Sequence, residues 1–557
     1  MQRIHAPLLG ALLFLVALFS PARAQSVKTT PVDKAEAERW REDLRYMAEQ
    51  MPLRHNNLFH TMPREQFETA VRRLNERIPQ LARHQIIVEM ARIAATVGDG
   101  HTNVAPTRDP KIGFRALPVK LYLFKDGLFV RAAERQHAAL VGARVVKIGT
   151  AGADEALARA REIIGRDNEM GIKFFAPHLL VMPEVLHALG LVEDTESVIL
   201  TVEQGGKRRE VTLSPAGAAD LIPPDTDTTW MPKAGWVDMR DAGGAPAPLW
   251  LKDATDKFWF ERLKDRRALY VQINQVLDKE KETFAAFTQR LLAFAEANDV
   301  ERLILDLRLN RGGNGELLRS LEIGLIKSKF DQRGRLFVLM GRGTWSAAQF
   351  LLNHLEKYTK AVFVGEPSAS RGNHYGDSRR ITLPNSQLTV RVSVYYWQDW
   401  HPQDTRQWTA PDVTAELSSE DYRTNADPAL KAALDYTPCQ SLADMLNEAL
   451  TAGGVELAVK KFREFKADPV NRYADTEDPL LVAGQRLLNE KKPEQALVLF
   501  KLNEEENAHS FRAYFATGEA LLRLGNKAEA VKNFERALAL NPKSYDVAES
   551  LRRARQQ

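Results

Sequence analysis

Between residues 268 and 434, short apolar runs and helical patterns take turns: 269–276, a helix over 283–297, 303–307, a helix over 316–326, 336–340, a helix over 346–357, then 361–364 and 388–396. Parallel strands cannot be joined by tight turns and need a crossover, which a helix provides. This order therefore predicts a mainly parallel sheet covered by helices. Loops at the ends of such strands are free to carry chemistry. A catalytic α/β core is expected at 250–436.

A chain of 557 residues exceeds what one hydrophobic core organises, so a multidomain α/β protein is expected. Residues 35–95 space apolar side chains at three and four (Trp40, Leu44, Met47, Met51), the pattern of amphipathic helices, which predicts a helical domain at 34–112. It ends in Val97-Gly98-Asp99-Gly100-His101-Thr102, where two glycines break the helix and leave His101 on a turn. Strand-like runs follow at 117–123, 127–130, 142–149, 197–202 and 209–213, with a helix near 151–164. Their order resembles a PDZ-like domain at 113–240 with an insertion around 168–191; an unrelated small β-rich module fits the same runs.

The stretch 440–557 repeats itself. Setting Gly484 on Gly518, 34 residues later, also sets Leu487 on Leu521, Ala496 on Ala530 and Phe500 on Phe534, while Ala537 and Pro542 complete the second copy. This is tetratricopeptide spacing. A degenerate earlier copy around Ala458 and Phe462 would supply the three units that such stacks need, and a plain helical hairpin is the alternative. A protein partner for these repeats is expected.

Residues 1–24 combine Arg3, an apolar run over 8–18 and Ala22-Arg23-Ala24. This reads as a secretory signal, its apolar run shorter than the roughly 20 residues that span a bilayer. The mature chain is expected to be exported, periplasmic or secreted, with no membrane span. Its formal charge of +4 falls by two with the loss of Arg3 and Arg23, and nothing in that balance points to nucleic acid. Cys439 is the single cysteine, so no intramolecular disulfide forms and stability rests on packing. No His, Cys, Asp or Glu cluster has metal-ligand spacing, and no metal or cofactor is expected.

Two loops of the core concentrate candidate chemistry. The run 336–340 leads through Gly341-Arg342-Gly343-Thr344-Trp345 to Ser346, which opens an apolar helix. Serine there is an ordinary helix cap, but the position also presents Oγ at a sheet edge beside unpaired N–H groups. The run 303–307 leads into Asn310-Arg311-Gly312-Gly313-Asn314-Gly315, which lacks the Gly-Lys-Ser/Thr signature of a nucleotide loop. The N–H groups of Gly312, Gly313 and Ala347 are expected to form an oxyanion hole for a tetrahedral acyl intermediate.

Asp306-Leu-Arg-Leu-Asn-Arg-Gly-Gly, Thr344-Trp-Ser-Ala-Ala, Val364-Gly-Glu-Pro and Pro411-Asp412-Val, in this order, resemble the core of the tail-specific and tricorn serine peptidases, a likeness covering residues 35–436. The resemblance implies a crotonase-like peptidase core, Ser346 as nucleophile, and peptides or protein tails as substrates. In the tail-specific branch the base is a lysine 25 residues after the serine. This chain has Arg371 there, which cannot accept a proton. The tricorn-like branch uses a histidine from far upstream, and Gly98-Asp-Gly-His101-Thr resembles that motif; His101, with an ordinary pKa near 6.5, is the expected base. The branch also implies a carboxylate shortly before Pro411-Asp412. Asp404 is the expected residue, with Glu366 and Asp99 as competitors and a salt bridge to Arg406 as its other reading. Arg371 and His374 are expected to line the substrate pocket. The aromatic run from Tyr395 to Trp400 fits a core strand or, on one face, a substrate groove.

Two functions stay open at this level. One is an exported serine peptidase using Ser346 and His101. The other is an inactive peptidase fold that binds peptides through its PDZ-like and repeat domains, motivated by the missing lysine and the unclear carboxylate. An esterase using the same serine is a third.

Overall fold

The computed structural model describes residues 30–220, 222, 228–242, 244–438 and 440–556. The expected signal at 1–24 and Cys439 lie outside them. The central sheet has six strands, in the spatial order Phe258–Leu263, Ala268–Ile273, Arg302–Asp306, Leu336–Met340, Val362–Gly365 and Val413–Thr414. The first pair is antiparallel and the others are parallel. Alternate side chains serve two faces, as pleating requires. Leu269, Val271 and Ile273 pack with Phe284, Leu321 and Leu351 of the covering helices, whereas Ala268 and Tyr270 pack with Ala429 and Ala433 on the other side.

The run at 388–396 is not part of this sheet, which corrects one expectation. Thr389–Gln398 pairs antiparallel with Asn373–Thr382 in a separate hairpin. The physical reason is its alternation. Val390 and Val392 are buried while Thr389, Arg391 and Val394 are half-buried and the strand's last four residues are exposed, the signature of a one-sided strand and not of a fully covered central one. That buried side joins the N-terminal helices Lys34–Arg54, Arg64–Arg77 and Arg83–Ala95.

The β-rich segment forms an antiparallel sheet of Val119–Phe124, Gly127–Glu134, Arg144–Ile148, Val198–Gln204 and Lys207–Leu213. The insertion folds as helices Glu169–Leu179 and Pro183–Ala188. One continuous set of buried side chains runs from Leu44 and Ile87 through Val130, Val145 and Leu200, so the helical and β-rich segments share a core.

The C-terminal helices Glu477–Asn489, Pro493–Glu506, Phe511–Arg523, Lys527–Leu540 and Tyr545–Gln556 stack in sequence. The 34-residue repeat has a packing cause. A Cβ on Gly484 would lie 2.3 Å from the Phe500 ring, and one on Gly518 would lie 2.4 Å from Phe534. Each phenylalanine thus occupies the space its glycine leaves open. The preceding helix, Leu442–Ala467, bends at Gly453 and Gly454 and buries Ala458 and Phe462 in the same core as Phe500. No helix among the described residues is long and apolar enough to cross a membrane.

Candidate active site

Because Arg302–Asp306 and Leu336–Met340 are parallel neighbours, the loops that follow them emerge side by side. They are tied together: Thr344 Oγ donates to the Leu307 carbonyl at 2.8 Å, and Trp345 N–H donates to the Asn310 carbonyl at 3.0 Å. The chain then turns sharply into helix Ala347–Tyr358, with Ser346 at φ 57° and ψ −123°. A non-glycine residue adopts that backbone at a cost of about 1–3 kcal/mol, so the surroundings hold it there. The Ser346 side chain makes no capping hydrogen bond, which removes the helix-cap reading of this serine.

His101 arrives from the far end of the N-terminal helices, and its Nε2 lies 3.3 Å from Ser346 Oγ. The Trp345 ring stacks on the imidazole, centroids 4.3 Å apart. The turn carrying His101 is built around one carboxylate. Asp99 Oδ1 accepts from the N–H of His101 at 2.9 Å, from the N–H of Thr102 at 2.7 Å and from Ser393 Oγ at 2.7 Å, while His55 Nε2 lies 2.9 Å from its Oδ2. Burial works against the Asp99 charge, but the His55 and Ser393 hydrogen bonds outweigh it and hold the carboxyl below its ordinary range. Burial, reinforced by His374, lowers His101 to about 3. The imidazole is therefore neutral at ordinary pH and able to accept a proton.

No carboxylate reaches His101 Nδ1 among the described residues. The three expected candidates are engaged elsewhere. Asp404, proposed from its place before Pro411-Asp412, is bonded to Arg406 at 2.9 Å, and Arg406 also binds Glu356. This is the structural salt bridge, and it corrects the triad expectation. Glu366 forms a buried ion pair with Arg342; burial disfavours its charge, and the guanidinium overrides that and holds it ionised. Asp99 supports the His101 main chain and not its ring.

The oxyanion expectation also changes in part. Gly312 N–H donates to Asn310 Oδ1 at 2.9 Å and is not free for substrate. Gly312 instead provides clearance: a Cβ there would sit 2.8 Å from Ser346 Cβ and 3.0 Å from Ala347 N. The N–H groups of Gly313 and Ala347 make no hydrogen bond to the protein among the described residues.

Arg371 is held by the Asp167 carbonyl and Gln407 Oε1, both at 3.0 Å. His374 is stacked between His101 and Phe350, at 6.1 and 5.4 Å, with Nδ1 3.1 Å from the Arg371 carbonyl, and burial lowers its pKa. Several contributors gave no sequence signal. Asp167, from the insertion, accepts from Gly100 N–H at 2.9 Å, and Ser370 Oγ accepts from Ser346 N–H at 3.3 Å. His55 stands 44 residues before Asp99, with no motif joining them.

Set against solved structures, the chain matches a CPAF mutant at TM-score 0.50 and 11% identity, over 73% of this chain and 100% of that one. The chain has the CPAF fold. The photosystem II D1 C-terminal processing protease also matches, at 15% identity over 72% of this chain and 97% of that one, with TM-score 0.31. Both neighbours belong to the tail-specific protease family, the group that the motifs resemble. A tetratricopeptide repeat model matches residues 511–544. The first such repeat of Spaghetti (RPAP3), bound to an HSP90 peptide, aligns at 25% identity over 21% of this chain and 88% of that one, with TM-score 0.17. Compared with curated protein sequences, the chain has no match. Among the described residues no group of three or more His, Cys, Asp or Glu side chains could hold a metal ion.

Proposed function

We propose that this chain is a serine peptidase acting on peptides or protein tails by acyl-enzyme chemistry. The observation that carries the reading is the strained Ser346, whose uncapped Oγ lies 3.3 Å from the Nε2 of a buried, neutral histidine. In this reading Ser346 Oγ attacks the scissile carbonyl while His101 Nε2 takes its proton. The oxyanion is received by the N–H groups of Gly313 and Ala347, and His101 returns the proton to the leaving amine. The Tyr375 main chain and the stacked Trp345 ring hold the imidazole in place.

The β-rich segment is proposed to be PDZ-like and to capture an extended chain by strand addition. The core is proposed to be crotonase-like, and residues 1–24 to direct export. The C-terminal helices are proposed to bind a protein partner. The absence of a carboxylate on His101 Nδ1 favours a second reading, an inactive scaffold on the same fold.

A fluorophosphonate probe separates the two. Labelling of the mature protein, lost on Ser346→Ala and His101→Ala, is the expected outcome by intact mass. Folded wild type that takes up no probe would favour the scaffold.

A further inference from the structure

We infer that one aromatic face of the hairpin Asn373–Thr382/Thr389–Gln398 is a substrate platform for bulky apolar residues of an extended polypeptide; this rests on the peptidase reading above. His374 pairs with Trp397 and Gly376 with Tyr395. Residues directly opposite in a ladder point to the same side, so these four positions share one face. His374 is buried on that face, whereas Tyr395 and Trp397 are 52% and 38% exposed. Gly376 leaves the floor between them flat, and the Trp397 ring lies over it: a Cβ there would meet Trp397 Cδ1 at 3.0 Å.

The exposed rings are joined to the candidate base. Tyr395 meets Trp397 at 5.7 Å, Trp397 meets Phe350 at 5.4 Å, Phe350 meets His374 at 5.4 Å, and His374 meets His101 at 6.1 Å. The row begins in solvent and ends on the imidazole beside Ser346. Phe350 belongs to the helix that Ser346 opens, so platform and serine are carried by adjoining rigid elements. About seven extended residues at roughly 3.3 Å each cover this path.

The chemistry of the surface selects the occupant. Neither 373–376 nor 393–398 contains a charged residue, so the face has no handle for an ionic partner. The hairpin is two-stranded; on the outer edge of Thr389–Gln398 Arg391 bridges Asn103 and the Ser393 main chain is taken by Asn56 N–H and Thr102 Oγ, and beyond Ser393 that edge carries no strand partner among the described residues. An open edge beside aromatic rings suits an extended peptide, which pairs main chain with main chain and seats alternate side chains on the rings.

The test uses mature Ser346→Ala protein and two fluorescein-labelled unstructured peptides of about twelve residues, identical except for Phe or Ser at every third position, followed by anisotropy. Binding of the Phe peptide about tenfold tighter is expected, with the preference lost on adding Trp397→Ala or Tyr395→Ala. Equal affinity for the two peptides, or a preference that survives both substitutions, would overturn the platform. Fluorophosphonate labelling of wild type reads the serine chemistry separately. Failure of wild type to label would count against the serine reading and not against the platform, because the binding assay needs no catalysis.

Discussion

Glycine at position 346 is expected to leave the core more stable than alanine there, although both substitutions remove Oγ. The backbone at φ 57° and ψ −123° crowds any Cβ, a strain of about 1–3 kcal/mol. Alanine keeps the Cβ and therefore the strain. Glycine releases it and loses about 0.5–1 kcal/mol through the greater freedom of its unfolded chain. The difference favours Ser346→Gly by about 0.5–2 kcal/mol, which for a unit of about 200 residues raises the midpoint by about 1–8 °C. Scanning calorimetry of the two mature variants, comparing the same transition, provides the measurement. A glycine variant that melts at or below the alanine variant would refute the claim that residue 346 is held in a strained conformation. Activity is absent in both variants, so the comparison isolates the backbone from the chemistry. The stability gained with glycine then measures what the wild-type fold sacrifices to present a hydroxyl at this turn.

Three further outcomes follow from the geometry. Neutral His101 is the reactive form, and its pKa is lowered to about 3, so probe labelling at pH 5 should stay near its rate at pH 7; the roughly thirtyfold loss expected of an ordinary histidine would contradict the burial argument. His84, lowered by burial to about 4, is neutral in the folded chain over a range where the unfolded chain protonates. It therefore removes stability as pH falls from about 6.5 towards 4, by about 1.4 kcal/mol per unit, and His84→Gln should make the slope in urea titrations shallower by about that amount. Gly518→Ala places a methyl against Phe534 and should destabilise the C-terminal helices by about 1–3 kcal/mol while leaving probe labelling unchanged; a loss of labelling would show that the repeats support the site directly.

Much of the architecture was legible because its signals are local. Strand and helix alternate in the core because a parallel sheet needs crossovers, and the alternation is written in apolar spacing. The repeat at Gly484 and Gly518 was visible because the same ring, Phe500 or Phe534, fills the same gap in each unit. The hairpin strand Thr389–Gln398 was misplaced, since a run of strand-forming residues does not state which neighbour it pairs with. Asp404 was chosen by its distance from Pro411-Asp412, and sequence distance does not report that Arg406, two residues on, already occupies its carboxylate. Gly312 was read as an oxyanion donor, yet its N–H is consumed by Asn310, a bond within a single turn that spacing does not reveal.

By itself the sequence determined the residue types and their local settings: a serine after a glycine turn at a helix start, a Gly-Gly loop after a buried strand, and a histidine on an Asp-Gly turn. Local conformation depends on neighbours in the chain, and these settings follow from it. Only the tertiary structure decided that His101 and Ser346, 245 positions apart, meet at 3.3 Å. It also decided that Asp99, which accepts from the histidine's main-chain N–H, is itself held by His55 and Ser393. Such contacts depend on how the N-terminal helices, the insertion and the hairpin pack around the sheet, and that packing is settled by burial summed over the whole chain, which no single segment encodes.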